Sequence, residues 1–296
     1  MIGVIFNPTA RGNKARHFRE QVARLGAHVR AAPTQRAGDG RRLAAELVRE
    51  GADIVVAAGG DGTVNEVLNG LCDVEGGRDR TRLGVLPLGT VNVVAKELGL
   101  PRDFQRAWAI IEAGRERLVD LPHARFVRPD GTPDSRYFAL MAGTGLSARA
   151  IEKVNWALKV RFGPLAYVWA GVEAMRPPHP VIEVTSETGT HRAELAEVGM
   201  GQFFGGRYVL FPGAQLDDGE LDVTLAPRVS WPVLVRVFLR LLTRRLEGSR
   251  DVNRFRARHL TLTSSVPVPF HLDGDVVGTL PARIQVERQA LRLVVP

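Results

Sequence analysis

The chain has 296 residues and a formal net charge of +8, with 45% apolar and 24% charged residues. That length holds one large domain or two ordinary ones, and the composition excludes a disordered or collagen-like chain. The single cysteine, Cys72, excludes an internal disulfide and a cysteine-cluster metal site, which fits a reducing cytoplasm.

No apolar stretch reaches the ~20 residues of a membrane helix. The positive charge, mostly arginine spread along the chain, suits an anionic partner: a phosphorylated ligand, an acidic membrane surface or nucleic acid. For nucleic acid there is no recognisable motif, so none is expected. The start MIGVIFNP lacks a basic leader and reads as a first strand, not a signal peptide.

In chain order, short apolar runs occur at IGVIF, AHVRA, DIVVAA and LGVLPL. Helical patterns lie among them at about 14–25, 39–50, 63–71, 91–99 and 103–113. Alternation of this kind predicts an α/β N-terminal domain with a parallel sheet covered by helices. From Asp120 onward, YFALMAG, VIEVTS, HRAELAEVGMG, LDVTL, HLTLTS, VPVPFHLDG and ARIQVERQALRLVV read as strands with Gly, Pro and Asp turns between them. They predict a C-terminal antiparallel β-sandwich-like domain, interrupted by helical stretches at about 147–175 and 231–246. The expected domains are 1–119 and 120–296, with a cleft between them.

The stretch VVAAGGDGTVNEVLNG joins strand DIVVAA to a helix through Gly59, Gly60 and Gly62. Glycines at a strand end before a helix let an anion approach the backbone, and the helix dipole favours phosphate there. No Gly-Lys dipeptide occurs, so this is not a P-loop. Asp61 in mid-loop then calls for a divalent cation between its carboxylate and the phosphates. Thr63, with Glu66 three residues on, reads as a capping box that opens the helix. PLGTVNVVAKELG repeats the strand–loop–helix arrangement with Gly89 and Thr90, and NPTARGNK is a third strand-end loop.

GGDGTVNEVLNG, preceded by NPTARG and followed by PLGTVN, resembles the diacylglycerol kinase catalytic family, which includes bacterial lipid kinases and the sphingosine and ceramide kinases. The likeness continues through VDLPHARF, YFALMAGTG, FGPLAY, GGRYVLFPGAQLDDGELDV, HLDGD and LRLVVP, spanning essentially the whole chain. It implies a lipid kinase that transfers the γ-phosphate of ATP, with Mg²⁺, to a lipid hydroxyl. ATP contacts would fall on Asn7, Pro8, Thr9, Gly12, Thr34, Gly59, Gly60, Asp61, Gly62, Thr63, Asn65 and Thr90. Asp61 and Asp120 would organise the catalytic Mg²⁺, with Asp61 also catalytic. A second, structural Mg²⁺ would sit at Asp218 with Gln215 and Glu220 nearby.

The sequence departs from the family pattern twice. Val93 stands after Asn92 where members often have aspartate, and Asp273-Gly274-Asp275 stands where they usually have Asp-Gly-Glu. Asp275 is therefore the expected general base, on a shorter stem. The alternatives are an NAD kinase, which shares a GGDG loop, and a catalytically degenerate lipid- or nucleotide-binding regulator. In an extended HLDGD segment Asp273 and Asp275 would point to one side.

Gly143, Gly145 and Ala148 form a G-x-G-x-x-A without the acidic residue about 20 positions on that dinucleotide binding needs. WPVLVRVFLRLLTRRL places Arg236, Arg240 and Arg244 on one helical stripe beside Trp231, Val235, Phe238, Leu239 and Leu242. Such a helix either packs its apolar face on the sandwich or lies peripherally on an anionic membrane. Neither the identity of the lipid nor the oligomeric state is legible.

Overall fold

The computed structural model describes residues 1–7, 21, 26, 28–153, 171–206 and 208–296. The helical pattern at 14–25 lies almost wholly outside them, as do FGPLAY, the middle of 147–175, and Pro8, Thr9 and Gly12. The described chain forms two compact units, Met1–Leu121 with Glu287–Pro296, and Pro122–Val286. This division differs from 1–119 and 120–296 chiefly at the C-terminus, where the last ten residues return to the first unit.

In the first unit, β1 (Ile2–Phe6), β2 (Val29–Pro33), α1 (Asp39–Arg49), β3 (Ile54–Gly59), α2 (Asp61–Cys72), α3 (Gly77–Arg80), β4 (Arg82–Pro87), α4 (Val93–Glu97) and α5 (Phe104–Ala113) follow one another. β5 (Glu116–Val127) then leads into the second unit. β1 pairs in parallel with β2 and β3, and β3 with β4. Val55, Val56 and Ala57 have no exposed surface, as a strand covered on both faces requires. One side packs Val4, Val56 and Leu86 against Trp108 and Ile111 of α5, with Val294 from the chain end.

The second unit contains β6 (Pro133–Tyr137), β7 (Met141–Gly145), α6 (Leu146–Glu152), β8 (Ile182–Ser186), β9 (Gly189–Ala193), β10 (Leu195–Gly199), β11 (Phe203–Phe204) and β12 (Tyr208–Val209). It continues with β13 (Leu221–Ala226), α7 (Trp231–Leu242), β14 (Asn253–Ala257), β15 (His259–Ser264), β16 (Pro269–Leu272) and β17 (Asp275–Val294). One antiparallel run is ordered β14-β13-β10-β7-β16-β17, and β15, β8 and β9 continue from the middle of β17. Inward residues such as Phe138, Val198, Val223, Leu225, Leu262 and Phe270 fill a single core. β17 is long because it serves both units: Leu293 lies beside Leu83 of β4 in the first.

The G-x-G-x-x-A run does not form a nucleotide turn. Gly143 is a strand interior residue of β7, and Gly145, at φ 82, opens α6.

Candidate active site

α2 begins two residues earlier than the sequence suggests, at Asp61, with Gly60 as its N-cap. No side chain caps it, so the expected capping box of Thr63 and Glu66 does not form. Glu66 instead reaches to the next helix: its carboxylate accepts from the Gly38 amide at 2.9 Å and the Gly40 amide at 2.8 Å. α1 starts at a left-handed Gly38 and needs an acceptor there, which Glu66 provides from across the α1–α2 contact. The first amides of α2 are thereby left for another partner.

None of Gly59, Gly60 and Gly62 has a positive φ, so backbone conformation does not explain them, and close approach accounts for Gly59. A Cβ on Gly59 would lie 2.3 Å from the Thr63 hydroxyl oxygen, and one on Gly89 would lie 2.5 Å from the Gly60 Cα. The glycine loop after β3 and the loop after β4 thus touch backbone to backbone. The Leu88 and Gly89 amides both donate to the Gly59 carbonyl, at 3.0 and 3.2 Å. A Cβ on Gly62 would meet nothing within 4 Å, so the fold itself does not demand glycine there. The space over the first turn of α2 is where a phosphate group would fit.

Asp61 joins the two loops. Its Oδ1 accepts from the Val94 amide at 3.1 Å, in the first turn of α4. Its Oδ2 is not used in that bond, and a half-buried carboxylate beside uncapped amides fits a hydrated Mg²⁺ with phosphates. Asn92, at φ 55, turns the second loop and donates to the Gly89 carbonyl at 2.9 Å. Val93 leaves its own position without a carboxylate, and the link to Asp61 comes from the following backbone amide.

The other expected nucleotide contacts sit at strand ends of the same unit. Thr34 follows β2 and its amide donates to the Phe6 carbonyl at 2.9 Å, beside exposed Asn7. Asn65 lies one turn into α2, and Thr90 is exposed in the second loop. Asp120 is 4% exposed, and its Oδ1 accepts from the Gln289 amide at 2.7 Å. That bond holds a positive-φ residue of the returning strand, a role the sequence did not suggest.

HLDGD in the second unit is a hairpin turn, not an extended segment. Leu272 pairs with Asp275, while Asp273 (φ 48) and Gly274 (φ 90) form the two-residue turn between β16 and β17. Asp273 and Asp275 therefore do not share a side by strand alternation. Asp273 turns inward, and its two oxygens accept from the Ala139, Leu140 and Met141 amides at 2.7, 2.9 and 3.0 Å. Asp275 stands exposed at the start of β17.

The turn expected to hold a second Mg²⁺ carries a cation of its own. Arg256 of β14 lies 3.3 Å from Asp218 Oδ2 and 3.5 Å from Glu220 Oε2, and donates to the Gly213 carbonyl at 2.9 Å. Its Nε is 3.6 Å from Asp222, whose carboxyl burial pushes above the ordinary value although Arg256 and Arg254 pull it down. Gln215 is exposed. Among the described residues no group of three or more His, Cys, Asp or Glu is arranged to hold a metal ion. A guanidinium within reach of both Asp218 and Glu220 does not fit a divalent ion between them.

A parallel α/β unit with joined strand-end loops is thus followed in sequence by a β-sandwich-like unit. The diacylglycerol kinase catalytic domain model matches residues 1–124, and the YegS C-terminal NAD kinase beta sandwich-like domain model matches residues 141–295. Residues 1–124 thus belong to the diacylglycerol kinase catalytic domain family and residues 141–295, more than half of the chain, to the YegS C-terminal domain family, and the chain is a kinase of a lipid alcohol.

A diacylglycerol kinase of Bacillus subtilis is 29% identical over 99% of this chain and 95% of its own length. One of Staphylococcus saprophyticus is 28% identical over 99% and 94%. A Bacillus anthracis crystal structure, described as of a diacylglycerol kinase, aligns at TM-score 0.75 and 21% identity over 100% and 96% of the two chains.

Proposed function

We propose that this kinase uses Mg²⁺-ATP and phosphorylates diacylglycerol, or a ceramide- or sphingoid-type lipid offering a similar hydroxyl on an apolar body. The observation that carries the nucleotide reading is the contact of the two glycine loops, with Asp61 tied across them beside uncapped helix amides. Mg²⁺ would neutralise the β- and γ-phosphate charge, and phosphoryl transfer depends mainly on such positioning and neutralisation. The α2 amides and Gly62 would cradle phosphate oxygens, Asp61 would hold the metal, and Asp120 would assist from its buried place on β5. Asn7, Thr34, Asn65 and Thr90 complete the nucleotide contacts, with Pro8, Thr9 and Gly12 assigned by resemblance alone.

Asp275 takes the proton of the lipid hydroxyl as that oxygen attacks the γ-phosphorus of ATP, and the bond from that phosphorus to ADP, the leaving group, breaks. The inward engagement of Asp273 by three amides supports this choice, because a carboxylate so occupied is a poor base. The enzyme would work in the cytoplasm at the membrane surface, where its substrate resides.

The test is ATP- and Mg²⁺-dependent phosphorylation of diacylglycerol, ceramide, sphingosine and monoacylglycerol in mixed micelles, read by mass spectrometry. A parallel reaction offers NAD. Lipid product that vanishes with Asp61→Asn is the expected result. NAD phosphate as the sole product would replace this reading with the NAD kinase one, and ATP binding without any product would make the chain a regulator.

A further inference from the structure

α7 is a twelve-residue helix in which no residue is buried. At about 100° per residue its side chains separate into three stripes. Leu234, Val237 and Leu241 face the protein, against the apolar clusters around Val229 and Phe211. Arg236 and Arg240 form a second stripe and are engaged: Arg236 pairs through both nitrogens with Asp251 at 2.9 and 2.6 Å, and Arg240 donates to the Arg245 carbonyl at 3.2 Å. The third stripe is Trp231, Val235, Phe238, Leu239 and Leu242, each about half exposed (49–55%). Phe238 meets Tyr208 of β12 with ring centroids 6.0 Å apart, so the patch gains a further amphipathic aromatic.

We infer that this stripe of α7 is the surface by which the protein docks on an anionic lipid bilayer. Trp and Tyr beside aliphatic side chains suit the headgroup boundary, where an apolar ring body and a polar tip are both satisfied. Exposed Arg228, Arg244 and Arg245 lie at the two ends of the helix, and the nearby Asp251 is already neutralised by Arg236. The ends therefore present positive charge that matches acidic headgroups.

A second copy of the chain fits less well. Five half-exposed side chains offer on the order of 500 Å², below the ~800 Å² per partner of a stable interface. A two-fold contact would also bring the two sets of arginines together.

The inference rests on the lipid-kinase reading for its purpose, but its test does not use catalysis. Flotation of the full chain with vesicles of phosphatidylcholine alone, or with about one third phosphatidylglycerol, measures docking without ATP or substrate. The wild type should bind the anionic vesicles, with binding falling as salt screens the arginines. Replacing Val235, Leu239 and Leu242 with glutamine keeps helix-forming residues at exposed positions and should lower vesicle partitioning at least tenfold. Arg244→Gln with Arg245→Gln should remove most of the preference for anionic over neutral lipid.

Equal binding by the triple variant overturns the inference, as does sedimentation showing that these changes abolish a dimer. Wild type that phosphorylates lipid in micelles yet ignores vesicles refutes the docking face and leaves the kinase reading standing. Docking as expected without any lipid product refutes the kinase reading alone.

Discussion

At the residue scale, the Asp-Gly-Asp turn separates two carboxylates that look equivalent in sequence. Three amides converge on Asp273, and charge-assisted bonds of this kind are worth roughly 1.5–3 kcal/mol each. Asp273→Asn should therefore lower the melting temperature by several degrees, because an amide offers one acceptor oxygen where the turn uses two. Asp275→Asn should leave the melting temperature near wild type and reduce kcat at least about 10²-fold, the lower end for loss of a general base. An active Asp275→Asn enzyme would place the base elsewhere.

Gly143 makes a second residue-scale case. It pairs with Glu197 and His271 on the flanking strands, and a Cβ there would lie 2.4 Å from both Glu197 Oε2 and His271 Nε2. Gly143→Ala should cost about 1–3 kcal/mol by overpacking, and shortening Glu197 to serine in the same chain should recover part of it in a thermal melt. The glycine loop around Asp61 and the Asp-Gly turn before Asp275 were legible because such loops and turns announce themselves locally. The anchoring work of Asp273 and the crowding at Gly143 were not, since both depend on partners more than 50 residues away.

At the scale of elements, hydrophobic period located most helices and strands, while their ends depended on contacts from other elements. Thr63 and Glu66 have capping-box spacing, yet the helix starts at Asp61 because Glu66 is drawn to the amides of α1. The GAQLDDGEL turn is a sharper example. In sequence its acidic residues ask for a cation, and resemblance offers Mg²⁺. The fold brings Arg256 from β14, which pairs with β13 so that Asp222 lies opposite Arg256.

Wild type should accordingly melt at the same temperature in EDTA as in millimolar Mg²⁺ when no nucleotide is present. Arg256→Met leaves Asp218, Glu220 and Asp222 facing one another without that charge. The variant should melt several degrees lower and regain part of the loss when Mg²⁺ is added. A Mg²⁺-dependent rise in wild type that Asp218→Asn removes would instead restore a metal to this turn.

For the whole molecule, the two-part organisation was visible in the change from strand–helix alternation to strand–turn–strand. What the linear pattern hid is the return of the last ten residues. Apolar positions in LRLVV read as one more sandwich strand, and nothing in their period says which sheet they join. In the fold, Leu291, Leu293 and Val294 are 4%, 6% and 2% exposed within the first unit. Leu293 lies beside Leu83, the Val295 amide donates to the Arg115 carbonyl at 2.9 Å, and Glu287 pairs with Arg78 at 2.6 Å. Gln289 supplies the amide that Asp120 accepts.

Burying three such apolar side chains contributes roughly 5–9 kcal/mol, comparable with the 5–15 kcal/mol that holds a typical domain. Residues 1–121 alone should therefore fail to give a cooperative thermal transition. The same residues joined through a flexible Gly-Ser linker to 287–296 should regain one, measured by circular dichroism. A cooperative transition in 1–121 alone would mean that the returning strand is an accessory to the sheet, and that the buried Asp120 is held without its partner at Gln289.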